Sequence, residues 1–232
     1  IESSGELRFG AAPDCEARKD LGGTAKNNTY VVVLMATDEV GNLSEQTVTV
    51  TVTVVNDIAP VITASGGTTA AIEQVAIAVD PDVVVADIDS PTLVSGTVSI
   101  TTAFQAGQDL LTFSNNPATM GNISGSFDSS TGVMTLTSAG GVASLAQWQA
   151  ALRSVAYTNT VDAPNIANRT VSFVVNDGLF SSNVGAKVVA VSPVNDAPQG
   201  GKLPNSAVDP NYNATAGRYE VTTPEDTPVN GQ

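Results

Sequence analysis

The chain has 232 residues, enough for two ordinary domains, and a net charge of −14 from 23 acidic and 9 basic side chains. That balance argues against nucleic acid as a partner, because phosphate binding needs basic patches. The absence of His excludes imidazole acid–base catalysis, Ser/His triads and His-ligated zinc, and Cys15, being alone, has no internal disulfide partner.

Apolar residues make up 42% of the chain but aromatics only 5%, and the apolar share is built from Val, Ile, Leu and Ala with Thr and Ser between them. Val and Thr favour strands, and no long window of helix formers interrupts them, so the class is all-β. No window approaches the ~18 apolar residues of a membrane span, so membrane insertion is not expected. The chain opens on Ile1 without a signal peptide and reads as an excerpt from something longer.

The first unit, residues 1–57, offers strands at Tyr30–Ala36 and Thr47–Val54, with a Gly41-containing turn between them at Asp38–Asn42. The second strand alternates Thr47, Thr49, Thr51 and Thr53 with Val48, Val50, Val52 and Val54, which predicts one wet face and one core face. A two-sheet sandwich needs about seven strands, so this unit reads as the C-terminal half of a domain. The second unit, residues 58–196, reads as complete. Its predicted strands are Val79–Ala86, Thr97–Thr102, Leu110–Phe113, Ile123–Phe127, Val133–Thr137, Val155–Thr158, Arg169–Asn176 and Ala186–Val191. A hairpin loop is expected at Asp128–Gly132. One short helix is predicted at Leu145–Leu152, with Ser144 and Gln147 as a capping box and Trp148 and Leu152 on its packed face. Residues 197–232 give a linker and the truncated start of a third unit, with a strand-like segment at Tyr219–Thr223.

Two strand ends carry the same punctuation: Val55-Asn-Asp-Ile-Ala-Pro60 and Val194-Asn-Asp-Ala-Pro198. Each sets an amide, a carboxylate and a rigid Pro where a short linker would leave a β-domain. Calcium takes 6–8 oxygen ligands, mostly carboxylates and carbonyls. A site between tandem domains needs them from the linker and from loops on either side of it. Asp14 and Glu16 precede the first linker, Asn56 and Asp57 form it, and Asp87, Asp89 and Asp177 follow strands of the second unit. Alternation throws Asp87 and Asp89 to the same side.

These motifs resemble the cadherin family, whose signature runs Asp-x-Glu, Ala-x-Asp-x-Gly, Asp-x-Asn-Asp-Asn-Ala-Pro and then Asp-x-Asp. The matching positions are Asp14/Glu16, Ala36 to Gly41 around Asp38, Val54 to Pro60, and Asp87/Asp89. The strings Gln149–Thr160, Thr170–Gly178 and Thr223–Pro228 are similar to repeats of large bacterial surface adhesins with cadherin-like and immunoglobulin-like modules, often secreted by a type I (RTX-type) system. The resemblance implies tandem β-sandwich modules joined by calcium-binding linkers. It implies a first site of Asp14, Glu16, Asn56, Asp57, Asp87, Asp89 and Asp177, with Asp38 serving an upstream linker. A second, weaker site would use Glu73, Asn195 and Asp196, since Tyr157-Thr158-Asn159, with Asp162 nearby, stands in place of its Asp-x-Glu. Glu225-Asp226 would serve the third unit. Where the linker's first Asp is expected the chain has Val54, and where its second Asn is expected it has Ile58.

The functional expectation is a calcium-rigidified extender of an extracellular, cell-surface adhesin with no enzymatic activity, whose partners are neighbouring modules of the same long chain. The alternatives are a filament subunit completed by strand exchange through open sheet edges, using Tyr219–Thr223, or a module that itself binds glycan or protein. The Asn-x-Ser/Thr sequences at Asn27, Asn42, Asn122, Asn168 and Asn213 are ordinary in a chain this rich in Asn, Ser and Thr.

Overall fold

Val-rich alternation produces the sheets it predicts, with differences at their ends. The computed structural model describes residues 10–11, 13 and 28–195, and the backbone pairing at 212–213 and 218–219. Strands β1 (Thr29–Thr37) and β2 (Leu43–Thr51) form an antiparallel hairpin with Tyr30 opposite Val50 and Val32 opposite Val48. The expected turn joins them, and Gly41 supplies its left-handed residue at φ 90°. The expected strand Thr47–Val54 instead begins at Leu43 and stops at Thr51, because the partner strand starts at Thr29, directly opposite. Its valine face is half-buried at Val48, Val50 and Val52, and Val54 is exposed, so no full core covers that face among the described residues.

From residue 61 a β-sandwich is built around one core. Its short first strands are β3 (Val61–Thr63), β4 (Thr68–Ile72), β5 (Ile77–Ala78) and β6 (Val84–Ala86). The longer ones follow as β7 (Ser95–Thr102), β8 (Asp109–Thr112), β9 (Ile123–Asp128) and β10 (Val133–Ser138). The last three are β11 (Ala156–Asn159), β12 (Arg169–Asn176) and β13 (Gly185–Ser192). One sheet has the order β4-β13-β12-β7-β10-β9, antiparallel except for the parallel β4–β13 pair. The other layer comprises β5-β11-β8 and the β3–β6 pair. Inward residues alternate cleanly along β12 (Val171, Phe173, Val175) and β7 (Val98, Ile100), and they share a cluster with Leu111, Tyr157, Val79 and Val85 from the other layer.

The predicted strand Val79–Ala86 is broken. Pro81 lacks the N–H that a ladder needs, and the segment turns between β5 and β6. Asp80, fully buried, holds that turn by accepting from the Ser65 N–H and hydroxyl, both at 2.7 Å, and from the Asp82 N–H at 3.2 Å. The short strands β3 and β4 carry no alternation long enough to read. Helix α1 (Pro117–Met120), capped by Asn116 with Pro117 in its first turn, was signalled by its Asn-Pro pair but not predicted. In the third unit Tyr212–Asn213 (β14) pairs antiparallel with Arg218–Tyr219 (β15). Residues 220–223 of the expected strand lie outside the described residues.

Helix α2 (Leu145–Ser154) forms as expected. The Ser144 hydroxyl accepts from the Gln147 N–H, and the Gln147 side chain accepts from the Ser144 N–H, closing a capping box. Trp148 and Leu152 are fully buried. The indole lies against β7 where Gly96 leaves room; a Cβ there would meet the Trp148 ring at 3.1 Å. Ser144→Ala removes one half of the box and is expected to cost about 1 kcal/mol. A lowered urea midpoint at unchanged m-value would register it.

Candidate functional site

The expected first-site ligands among the described residues lie on the linker and on loops that follow two strands. Strand β6 ends at Ala86, so Asp87 and Asp89 follow it, and β12 ends at Asn176, so Asp177 follows that strand. A hydrogen bond of 2.9 Å from the Val94 N–H to the Asn176 carbonyl joins the two loops. The linker is tied to the first of them, because Asp89 Oδ2 accepts from the Asp57 N–H at 2.8 Å and the Ile58 N–H at 2.7 Å. Asp87 Oδ1 accepts from the N–H groups of Asp89 and Ser90. Asp177 Oδ1 accepts from those of Leu179 and Phe180, both at 2.7 Å. Gly178, at φ 107°, permits that sharp loop.

Each of these carboxylates thus commits one oxygen to the backbone and leaves the other without a partner. The buried, unpartnered atoms are Asp87 Oδ2, Asp89 Oδ1 and Asp177 Oδ2, joined by Asn56 Oδ1 of the linker. Buried polar atoms are ordinarily hydrogen-bonded, so four orphaned acceptors at one end of a domain require an explanation. Burial raises the Asp87 carboxyl above its ordinary range, and the neighbouring Asp89 carboxyl adds to the rise. Burial also opposes ionisation of Asp89, but the Asp57 N–H, the Asp87 carboxyl and the Ile58 N–H outweigh it and lower the value. Every orphaned atom is a hard oxygen, the donor type that suits calcium. Among the described residues no group of three or more Asp, Glu, Cys or His side chains is drawn close enough to hold a metal by itself. Asp57 is exposed, and Asp14 and Glu16 lie outside the described residues.

Asp38 sits apart, in the hairpin turn, at the end of the β1–β2 pair away from the linker. Its carboxylate accepts from the Asn42 side chain at 2.7 Å and from the N–H groups of Asn42 and Val40, and these bonds, the Asn42 side chain's first, lower its pKa. At the opposite end of the sandwich Glu73 is buried, with Oε1 accepting from the Val194 N–H at 2.8 Å. Asn195 is exposed there, and Asp196 and Glu225-Asp226 lie outside the described residues.

Tyr157 and Asn159 are fully buried and belong to a polar network inside the sandwich. Both donate to Asp109 Oδ1, at 2.6 and 2.8 Å. The same carboxylate receives Arg169 Nε at 3.2 Å on Oδ2 and Nη2 at 3.3 Å on Oδ1, and the Gln105 N–H at 2.8 Å. Arg169 and Asp109 are both wholly buried, and Arg169 Nη1 also donates to the carbonyls of Asn165 and Ala167. Sequence reasoning missed this pair. The signal was present, since Arg169 falls on the inward register of Val171, Phe173 and Val175.

No known protein-family model matches the chain. Halomucin of Haloquadratum walsbyi is 31% identical over 164 residues, which make up 70% of this chain and only 2% of that protein's length. Among solved structures, the mouse clustered protocadherin PcdhgC3 EC1-3 is similar with a TM-score of 0.38 and 14% identity, over 78% of this chain and 46% of that one. The protocadherin GammaB4 extracellular domain gives 0.34 and 16%, over 72% and 22%. The C-terminal domain of the Streptococcus pyogenes antigen I/II-family protein AspA gives 0.24 and 14%, over 65% and 49%.

Proposed function

We propose that this chain is a calcium-rigidified extender segment of an extracellular surface adhesin, in which residues 58–196 form one module of a tandem array. The observation that carries the reading is the set of orphaned buried oxygens on Asn56, Asp87, Asp89 and Asp177, drawn from a linker and two loops of the following sandwich. These residues would hold the ion, with Asp57, Asp14 and Glu16 completing the set. Bound calcium supplies positive charge and oxygen coordination, which offset the repulsion among the carboxylates and fasten linker to module. Extracellular modules bind calcium at about 10⁻⁴–10⁻³ M, a level suited to a surface role. The similarity to so small a fraction of one very long protein supports a place in a repeated array.

The chain's own residues are arranged for reach. The linker is anchored through Asp89 before any ion binds, and the module's ends lie at opposite poles, Pro60 at one and Val194 at the other. Calorimetric titration with calcium should give saturable binding. Small-angle scattering on the same samples should show a longer, narrower distance distribution with calcium than with chelator. Saturable heat without a change in shape would leave a metal site but remove the extender role. No heat would remove both.

A further inference from the structure

The segment between the two carboxylate loops is tied to the helix, and every tie is a named hydrogen bond. The Ser90 N–H donates to Asp87 Oδ1, and its hydroxyl donates to the Thr92 carbonyl at 2.7 Å. Thr92 forms an isolated bridge with Ser144, the residue that caps α2. The Leu145 N–H donates to the Pro91 carbonyl, and the Leu93 N–H donates to the Ala143 carbonyl, both at 3.2 Å. The Leu93 carbonyl accepts from Trp148 Nε1 at 2.9 Å in a fully buried contact. One residue later, the Val94 N–H binds the Asn176 carbonyl next to Asp177. Residues 90–94 are therefore a strap with Asp87 and Asp89 before it and the Asp177 loop against its far end. Its midpoint hangs on the indole.

We infer that Trp148 is a positioning residue for the cation site: its indole N–H fixes Leu93, and through Leu93 the spacing between the Asp87/Asp89 loop and Asp177. The inference rests on the proposed calcium reading. A buried indole N–H seeks a partner, and here the partner is the strap backbone rather than a core side chain. Trp148→Phe keeps an aromatic ring against Gly96 but removes the donor, leaving the Leu93 carbonyl buried without that bond. Preorganised ligands bind more tightly because less ordering remains to be done on binding. The loss of one such bond corresponds to about a 2- to 10-fold weaker calcium affinity.

The test titrates calcium into the full chain by calorimetry for wild type, Trp148→Phe and Phe173→Leu, well below their melting temperatures. Phe173 is as deeply buried, in the β12 part of the same core, and makes no contact with the strap through a polar atom. The expected result is weaker binding in Trp148→Phe and wild-type affinity in Phe173→Leu, even where both melt earlier. Equal affinity in all three chains would overturn the positioning role while leaving the calcium reading standing. Absence of binding in wild type would overturn both. In wild type the fluorescence of Trp148, the single tryptophan, should change with calcium along the calorimetric isotherm. If Trp148→Phe does not fold, this reading decides, and a signal unmoved by saturating calcium would count against the coupling.

Discussion

Arg169→Met is expected to destabilise the sandwich by about 3–5 kcal/mol, the cost of leaving one member of a buried ion pair without its partner. Asp109 would keep Tyr157, Asn159 and the Gln105 N–H, but its charge would have no counter-ion in a site with no exposure on either side chain. Asp109→Asn should cost less than Arg169→Met, because the amide carbonyl still accepts from Tyr157 and the guanidinium keeps the carbonyls of Asn165 and Ala167. The double variant should recover part of the loss, since removing both charges ends the unpaired burial. Chemical denaturation of the single and double variants measures each term. A cost below about 1 kcal/mol for Arg169→Met would place the pair at the value of an exposed salt bridge and contradict its burial. The same network has a signature in alkali. Burial first, and then the Asp109 carboxylate, push the Tyr157 phenol above its ordinary value of 10.0. The folded state therefore holds that proton after the unfolded chain has released it. The resulting stability is complete below pH 10 and drains away above it, a loss that Tyr157→Phe should reduce.

Asp89→Ala is expected to remove about a third or more of the stabilisation that calcium gives. Wild type at a calcium concentration 1,000 times its dissociation constant should gain about 4.1 kcal/mol. Asp89 contributes twice to that gain: Oδ2 anchors the linker through Asp57 and Ile58, and Oδ1 is one of the orphaned acceptors. Losing both should weaken calcium binding by more than about tenfold, or 1.4 kcal/mol. Asp89→Asn separates the two roles, since an amide oxygen can accept from the linker N–H groups but carries no charge. Its apo melting temperature should stay near wild type while its calcium-dependent shift shrinks. Melting curves with and without calcium read both quantities. A full calcium shift in Asp89→Ala would exclude Asp89 from the site.

The sandwich core was legible because its strands are half-buried. Alternation along Arg169–Asn176 and Thr97–Thr102 gave elements within two residues of the observed ones, and the capping box placed α2. What escaped were elements whose form comes from tertiary contacts. Strand β4 is held by parallel pairing to β13, each residue to a partner 120 positions further along the sequence, and its five residues carry no period of their own. The break at Pro81 was written in the sequence but was outweighed by the valines around it. Of the Asn and Asp motifs, Asn56, Asp87, Asp89 and Asp177 carry orphaned oxygens while Asp38 is satisfied within its own turn, and the strap and Trp148's hold on it depend on backbone atoms, which composition cannot show. Arg169 illustrates the reverse. A charge on a core register is readable, but its partner, Asp109, is 60 residues away and comes within reach only through the fold.

The β4–β13 pair has a mechanical consequence. The strand nearest the module's entry among those in the large sheet lies beside the last strand before its exit, and the two run in the same direction. Tension applied across the module draws β4 toward one pole and β13 toward the other, so the strands must slide along their length. The ladder bonds from Thr68–Val188 to Ile72–Ser192 then bear load together instead of peeling one at a time. Asn183 adds a rivet on the entry side, its side chain accepting from the Ile62 N–H and donating to the Ile62 carbonyl. A link built this way yields to a pull only when a whole row of bonds fails at once, and a tether under flow gains most from that behaviour.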